Sequence, residues 1–163
     1  QHLLHHNLGM VYRKQGHIDK AATAYGEALK HNPKYAEAHI SLGNLAFYQE
    51  NYAQAIQSFQ KALGTKAESA DLHLRLGLAY FNTQIYPKAI FHFQHTLNLD
   101  ATNIQTYHYL GRAYDLNNQP NKAIEALETF IAKETRREKR PRVAEAKELI
   151  FDIKKERFTN MLK

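Results

Sequence analysis

The chain carries ten histidines, the side chains best suited to proton transfer or metal ligation near neutral pH. Two groups of them have helical spacing. His2, His5 and His6 stand at i, i+3 and i+4, so one helix face could offer three imidazoles to a divalent metal. His92 and His95 are three apart. Neither group has a carboxylate near it in sequence, and neither belongs to a metal-binding motif. His5 shares a recurring position with His39 and His73, which argues for packing rather than ligation. No metal and no cofactor is expected. The absence of Cys removes thiolate catalysis, disulfides and cysteine zinc sites. G-x-S-x-G, H-E-x-x-H and phosphate-loop patterns are also missing. The sequence reads as a protein that is not an enzyme.

A second cluster is basic. The net charge of +6 is unevenly placed. Residues 1–132 carry 11 Lys and Arg against 10 Asp and Glu, whereas residues 133–163 carry 11 against 6. The stretch "RREKRPR" supplies Arg136, Arg137, Lys139, Arg140 and Arg142. Such a patch could hold phosphates of a nucleic acid or an anionic surface. The aromatic residues that nucleic-acid recognition interleaves with basic ones do not occur until Phe151. The alternative is a solvated turn, with Pro141 ending one helix and arginines near its C-terminus favoured by the helix dipole.

The elements that would position these residues follow from a repeat. "NLGMVYRKQG", "SLGNLAFYQE", "RLGLAYFNTQ" and "YLGRAYDLNN" begin at Asn7, Ser41, Arg75 and Tyr109, each 34 residues after the last. Each contains Leu-Gly. Twelve residues after the glycines come Ala21, Ala55, Ala89 and Ala123; four further on come Tyr25, Phe59, Phe93 and Leu127. Two helical patterns fit each unit, with turn signals such as Gln15-Gly16 and Asn117-Asn118 between them. Pro87 and Pro120 suit the first turns of second helices. A lone helical hairpin cannot bury its apolar stripe, so copies must stack. Glycine inside a helix costs about 0.5–1 kcal/mol relative to alanine. The compensation expected is close helix approach, with Gly9, Gly43, Gly77 and Gly111 meeting small residues opposite. Leu8, Leu42, Leu76 and Leu110 are then expected to fill the space between neighbouring units.

On these residues the chain resembles the tetratricopeptide-repeat family over about residues 2–135. The first unit matches best, through Leu8, Gly9, Tyr12, Ala21, Tyr25, Ala28 and Pro33. The fourth departs at Leu127 and Phe130, and the usual tryptophan of the first helix is replaced by His5, His39, His73 and Tyr107. The resemblance implies an all-α solenoid of four helix-turn-helix units, at about 2–35, 36–69, 70–103 and 104–135, forming a right-handed superhelix. Residues 136–163 are expected to form a basic turn and a C-terminal capping helix, with Val143, Ala146, Leu149, Ile150 and Ile153 on one side. The chain begins at Gln1 rather than Met, and is read as a piece of a longer protein whose compartment, cytoplasmic or periplasmic, is open.

The resemblance also implies a site, because first helices of the family line a concave face. Helical spacing puts Met10, Arg13, Ile40, Asn44, Phe47, Tyr48, Leu74, Leu78, Phe81, Asn82 and Arg112 there, and Arg75 is added beside Leu74 as a polar candidate. Its middle is apolar with a polar rim, the composition of a partner site. Asn44 and Arg75 could hydrogen-bond a bound backbone or carboxylate. The expected partner is another protein, bound as an apolar peptide or helix. The alternatives are that these residues pack on neighbouring second helices, or that the groove or end faces mediate self-assembly. The carboxylate clamp of family members that grip chaperone tails is not reproduced: its positions read His6, Met10, Ser41, Asp71 and Arg75 in one frame and Ile40, Asn44, Arg75, Gln105 and Tyr109 in the other. The asparagine ladder of the family's glycosyltransferase branch is absent too, its positions holding Asn7, Ser41, Arg75 and Tyr109.

Overall fold

A computed structural model describes residues 1–65, 67–135 and 140–161. Its described elements are helices: α1 (His2–Lys14), α2 (Ile18–His31), α3 (Ala36–Tyr48), α4 (Tyr52–Leu63), α5 (Ala70–Asn82), α6 (Tyr86–Leu99), α7 (Ile104–Leu116), α8 (Pro120–Lys133) and α9 (Arg140–Met161). The fold is an all-α helical-repeat solenoid. Its contacts group into two compact units, residues 1–83 with α1–α5 and residues 84–163 with α6–α9.

Local chemistry starts the helices. The Asn51 side chain accepts from the Gln54 amide at 3.3 Å to cap α4, and Ser69 accepts from the Leu72 amide at 3.2 Å to cap α5. Pro87 and Pro120 stand in the first turns of α6 and α8, where a missing N–H is harmless. The turns inside the hairpins share one device. Gly16, Glu50, Gln84 and Asn118, at one repeat position, all have positive φ, at 79°, 59°, 61° and 55°. After Gly16, Glu50 and Asn118 the next residue then bonds back across the turn. The amide of His17 donates to the Tyr12 carbonyl at 2.9 Å, and that of Asn51 to the Ala46 carbonyl at 2.8 Å. This satisfies carbonyls that the helix end leaves open.

In the first unit, α1 packs on α2 and α3 on α4 around Ala21, Tyr25, Ala28, Ala55, Phe59 and Ala62, all fully buried. The glycines explain the close approach, though not as the sequence suggested. A Cβ on Gly43 would lie 2.5 Å from the Phe59 ring; Gly9 stands in the same way against Tyr25, and Gly111 against Leu127. Large side chains of the second helices, not small residues, lie opposite. Each glycine is the floor on which a ring or leucine rests, so the hairpin gains apolar burial as well as proximity.

The leucines that follow the same repeat differ. Leu76 and Leu110 are buried and Leu42 is half-buried, but Leu8 is 41% exposed and fills no space between units. Nothing described lies on its side of the first hairpin. In the second unit the core is Phe93, Leu110, Leu127 and Phe130, to which α9 adds Ala146, Ile150 and Ile153 by packing on α8. Val143 and Leu149 are half-buried. Beyond Ile153 the described side chains of α9 are exposed. Pro141 does not end a helix: α8 stops at Lys133, and Pro141 stands in the first turn of α9.

Candidate functional site

The first helices of the first unit carry eleven of the twelve residues that the sequence assigns to a binding face. Met10 and Arg13 are exposed on α1. On α3, Ile40, Asn44 and Phe47 are half-buried, and Tyr48 at its end is 74% exposed. On α5, Leu74, Arg75, Leu78 and Phe81 are half-buried and Asn82 is exposed. Arg112, half-buried on α7, belongs to the second unit. The apolar side chains thus keep part of their surface in water after the core is formed. Phe47 also packs on a second helix, its ring edge-on to Tyr52 of α4 at 5.2 Å. That contact fulfils for Phe47 the alternative of packing within the array.

The polar residues of this face are held by bonds within the first unit. Arg75 Nη1 donates to Asn44 Oδ1 at 2.7 Å, and Arg75 Nε donates to Asp71 Oδ2 at 2.7 Å. The first bond ties α5 to α3, and the second spans one turn of α5. A guanidinium held on two sides loses less freedom when it takes a third acceptor, and these bonds use two of its five N–H donors. The Asn44 carbonyl is taken by Arg75. Asn82 donates to the Leu78 carbonyl of its own helix at 2.8 Å.

The N-terminal histidines turn to aromatic and polar neighbours. His6 is buried, with Nε2 3.1 Å from Ser41 Oγ and Nδ1 3.4 Å from Tyr35 Oη. His5 stacks on His31, and His2 meets the Tyr35 ring edge-on. Of the trio that helical spacing puts on one face, His2 and His6 both meet Tyr35, and His5 turns to His31. The recurring position instead packs and bonds locally: His39 Nε2 is 2.9 Å from the Pro33 carbonyl and His73 Nε2 is 3.2 Å from Glu68 Oε1. Burial holds His6 below the ordinary imidazole value, with Glu37 partly opposing the shift. His108, in the second unit, is also held low by burial, and Arg112 and Arg142 act in the same direction against Glu145. Among the described residues neither ring nitrogen of His108 has a hydrogen-bond partner.

Of the basic stretch, Arg136, Arg137 and Lys139 lie outside the described residues, as does the side chain of Arg140. Arg142 is half-buried and donates to Gln105 Oε1, while Gln105 Nε2 donates to Glu134 Oε2 at 2.8 Å. This cation is used inside the second unit to hold the start of α9 against α7. The sequence reading missed two bonds that recur with the repeat. Gln60 Nε2 donates to Tyr80 Oη and Gln94 Nε2 to Tyr114 Oη, both at 2.8 Å. Their signal was present, because Gln and Tyr stand 20 apart in both pairs.

Comparisons with known proteins agree with this geometry. Tetratricopeptide-repeat family models match residues 6–70 and 40–97, and a second model of that description matches residues 105–134. YrrB, a tetratricopeptide-repeat protein with an unusual peptide-binding site, superposes with a TM-score of 0.76 at 20% identity, over 80% of this chain and 67% of YrrB. A MamA structure gives 0.78 at 27% identity, over 94% of this chain and 86% of its own. MamA from residue 41 to its end, from Desulfovibrio magneticus RS-1, gives 0.78 at 18% identity, over 95% and 96%. No curated protein matches the chain by sequence. No described helix is long and apolar enough to cross a membrane.

Proposed function

The chain belongs to the tetratricopeptide-repeat family, and from that premise we propose that it is a non-catalytic protein-interaction scaffold that takes an apolar segment of a partner on α3 and α5. The observation that carries the reading is the composition of that face: Ile40, Leu74, Leu78 and Phe81 half-buried, Tyr48 exposed, and Arg75 held ready between Asn44 and Asp71. The apolar residues supply desolvation. Arg75 and the free amide of Asn44 fix the register of a partner backbone or carboxylate. Met10 and Arg13 extend the face toward α1.

The test compares the wild-type protein with Phe47→Ala, Phe81→Ala and the double variant. All are first checked for an unchanged melting temperature. A partner captured from the source lysate by the wild type is then titrated against each. Phe81→Ala is expected to weaken binding by more than about 1 kcal/mol. The affinity should change little between low and moderate salt, since counterion release is not what drives an apolar contact. Equal affinity of the double variant would sink the assignment. A steep salt dependence would shift the partner to the basic segment.

A further inference from the structure

In the second unit one buried polar side chain is left without a bond. His108 of α7 is 4% exposed, its ring centre stands 5.1 Å from that of Phe130 on α8, and neither ring nitrogen has a hydrogen-bond partner among the described residues. Buried polar groups are nearly always bonded, so an orphaned imidazole asks for an explanation. The same repeat position shows that the fold does not require a histidine. Ile40 and Leu74 stand there in the second and third repeats. His6 stands there in the first repeat, and it is satisfied. Its Nε2 lies 3.1 Å from Ser41 Oγ of α3, and its Nδ1 lies 3.4 Å from Oη of Tyr35, the residue that precedes α3.

The next helix, α9, packs on α8 as α3 packs on α2, but it brings His108 charges instead of bonds. Gln105, His108 and Arg112 share one face of α7 at i, i+3 and i+7. Gln105 accepts from Arg142 of α9, so a guanidinium stands about one turn to either side of the imidazole. Glu145 of α9 is the acidic group near it among the described residues, and it is exposed. Burial keeps the imidazole neutral; Glu145 opposes that, and Arg112 and Arg142 add to it. An imidazolium carries two N–H donors and no acceptor. With α9 docked, those donors have two guanidiniums, the Phe130 ring and one exposed carboxylate for company. With α9 away, both nitrogens reach water and Arg142 departs. The helix is held by few side chains: Ala146, Ile150 and Ile153 are buried, and the described ones beyond Ile153 are exposed. Toward its far end, Glu156 stands near Asp115 of α7, whose carboxyl is raised by burial and then by Glu156. Acid relieves that repulsion, so this end resists release.

We infer that α9 is an acid-released cap: protonation of His108 favours a state in which α9 has left α7 and α8 while the hairpins stay folded. Release bares Ala146, Ile150 and Ile153 together with the side of α8 that they cover. The chain thereby gains in acid an apolar surface that it lacks at neutral pH. The proton acts as a ligand that binds the released state more tightly, and the size of the shift follows from that difference. The device belongs to the second unit and does not rest on the apolar face of α3 and α5, so either assignment can fail without the other.

Hydrogen exchange of the full chain, read by mass spectrometry, tests this at about pH 7.5 and about pH 5.5, on either side of the ordinary imidazole value, with exchange times scaled for the intrinsic rates. At the lower pH, peptides from residues 140–153 are expected to lose protection while peptides of α3–α5 keep theirs. One proton raises the opening constant by at most about tenfold per pH unit, which bounds the effect. His108→Leu, which copies the third repeat, should keep α9 protected at both values. Glu145→Gln, at an exposed side chain, removes the charge that favours the docked imidazolium. It should move release to higher pH, and it reads the same coupling if the first variant fails to fold. Four results would overturn the inference: protection of α9 kept in acid, loss of protection in step with α3–α5, release that persists in His108→Leu, or a release midpoint that does not rise in Glu145→Gln.

Discussion

At the scale of single residues, the chain shows how one atom decides a helix pair. A methyl on Gly43 would meet the Phe59 ring at 2.5 Å, while a methyl on Gly26 would meet nothing within 4 Å. Both glycines are helical, so both carry the same entropic cost in the unfolded chain. Gly43→Ala is therefore expected to lose about 1–3 kcal/mol by overpacking, and Gly26→Ala to gain about 0.5–1 kcal/mol. Urea unfolding of the two variants checks both signs. The periodic glycines were legible in the sequence. Their partners were not: small residues were expected opposite, because spacing reveals a close approach but not which side chain makes it. Arg75 carries the same lesson. Its candidacy came from its hydrogen-bonding chemistry, but its fixed geometry depends on Asn44 from another helix and Asp71 from its own turn.

At the scale of elements, the turn inside each hairpin is fixed by one left-handed residue. Glycine at Gly16 and asparagine at Asn118 accept that conformation readily; Glu50 and Gln84 hold it at φ of 59° and 61° against their own preference. Left-handed backbone costs a side chain about 1–2 kcal/mol, and glycine adds about 0.5–1 kcal/mol of unfolded-state entropy. Glu50→Gly should therefore stabilise by a few tenths to about 1 kcal/mol, and Gly16→Ala should destabilise by about 1 kcal/mol. Denaturant midpoints of the two variants decide the matter, and a loss of stability in Glu50→Gly would refute the account. Gln15-Gly16 and Asn117-Asn118 announced their turns in the sequence. The other two turns had no such signal, because closure of the hairpin imposes the conformation on whatever residue stands there.

At the scale of the molecule, stability should depend on pH through buried imidazoles. Burial holds His6 and His108 below the ordinary imidazole value of about 6.5 that the unfolded chain has. The unfolded state then binds more protons than the folded one, so stability rises with pH across this window. It is fully present above 6.5 and is lost as pH falls from there toward the folded values. The melting temperature should drop on acidification from pH near 7 toward 5. The repeats supply the control substitution, since Ile40 and Leu74 occupy the position of His108. His108→Leu should flatten the dependence and should not cost stability at neutral pH, as both ring nitrogens lack partners. An unchanged pH profile in that variant would remove His108 from the explanation.

The sequence by itself determined the architecture. A gapless period of 34 with two helical patterns in each copy leaves stacked hairpins as the way to bury the apolar stripes. The family resemblance implied a binding face on the first helices, and helical spacing gave the residues that share it. Only the tertiary structure decided how those residues are used. It set His2 and His6 on Tyr35 and His5 on His31, turned Arg142 inward to Gln105, bonded Arg75 to Asn44, and left Leu8 exposed where Leu76 and Leu110 are buried. Period and pattern fix where a residue stands on its own helix. What it touches depends on distances between helices, and those exist only once the helices have packed.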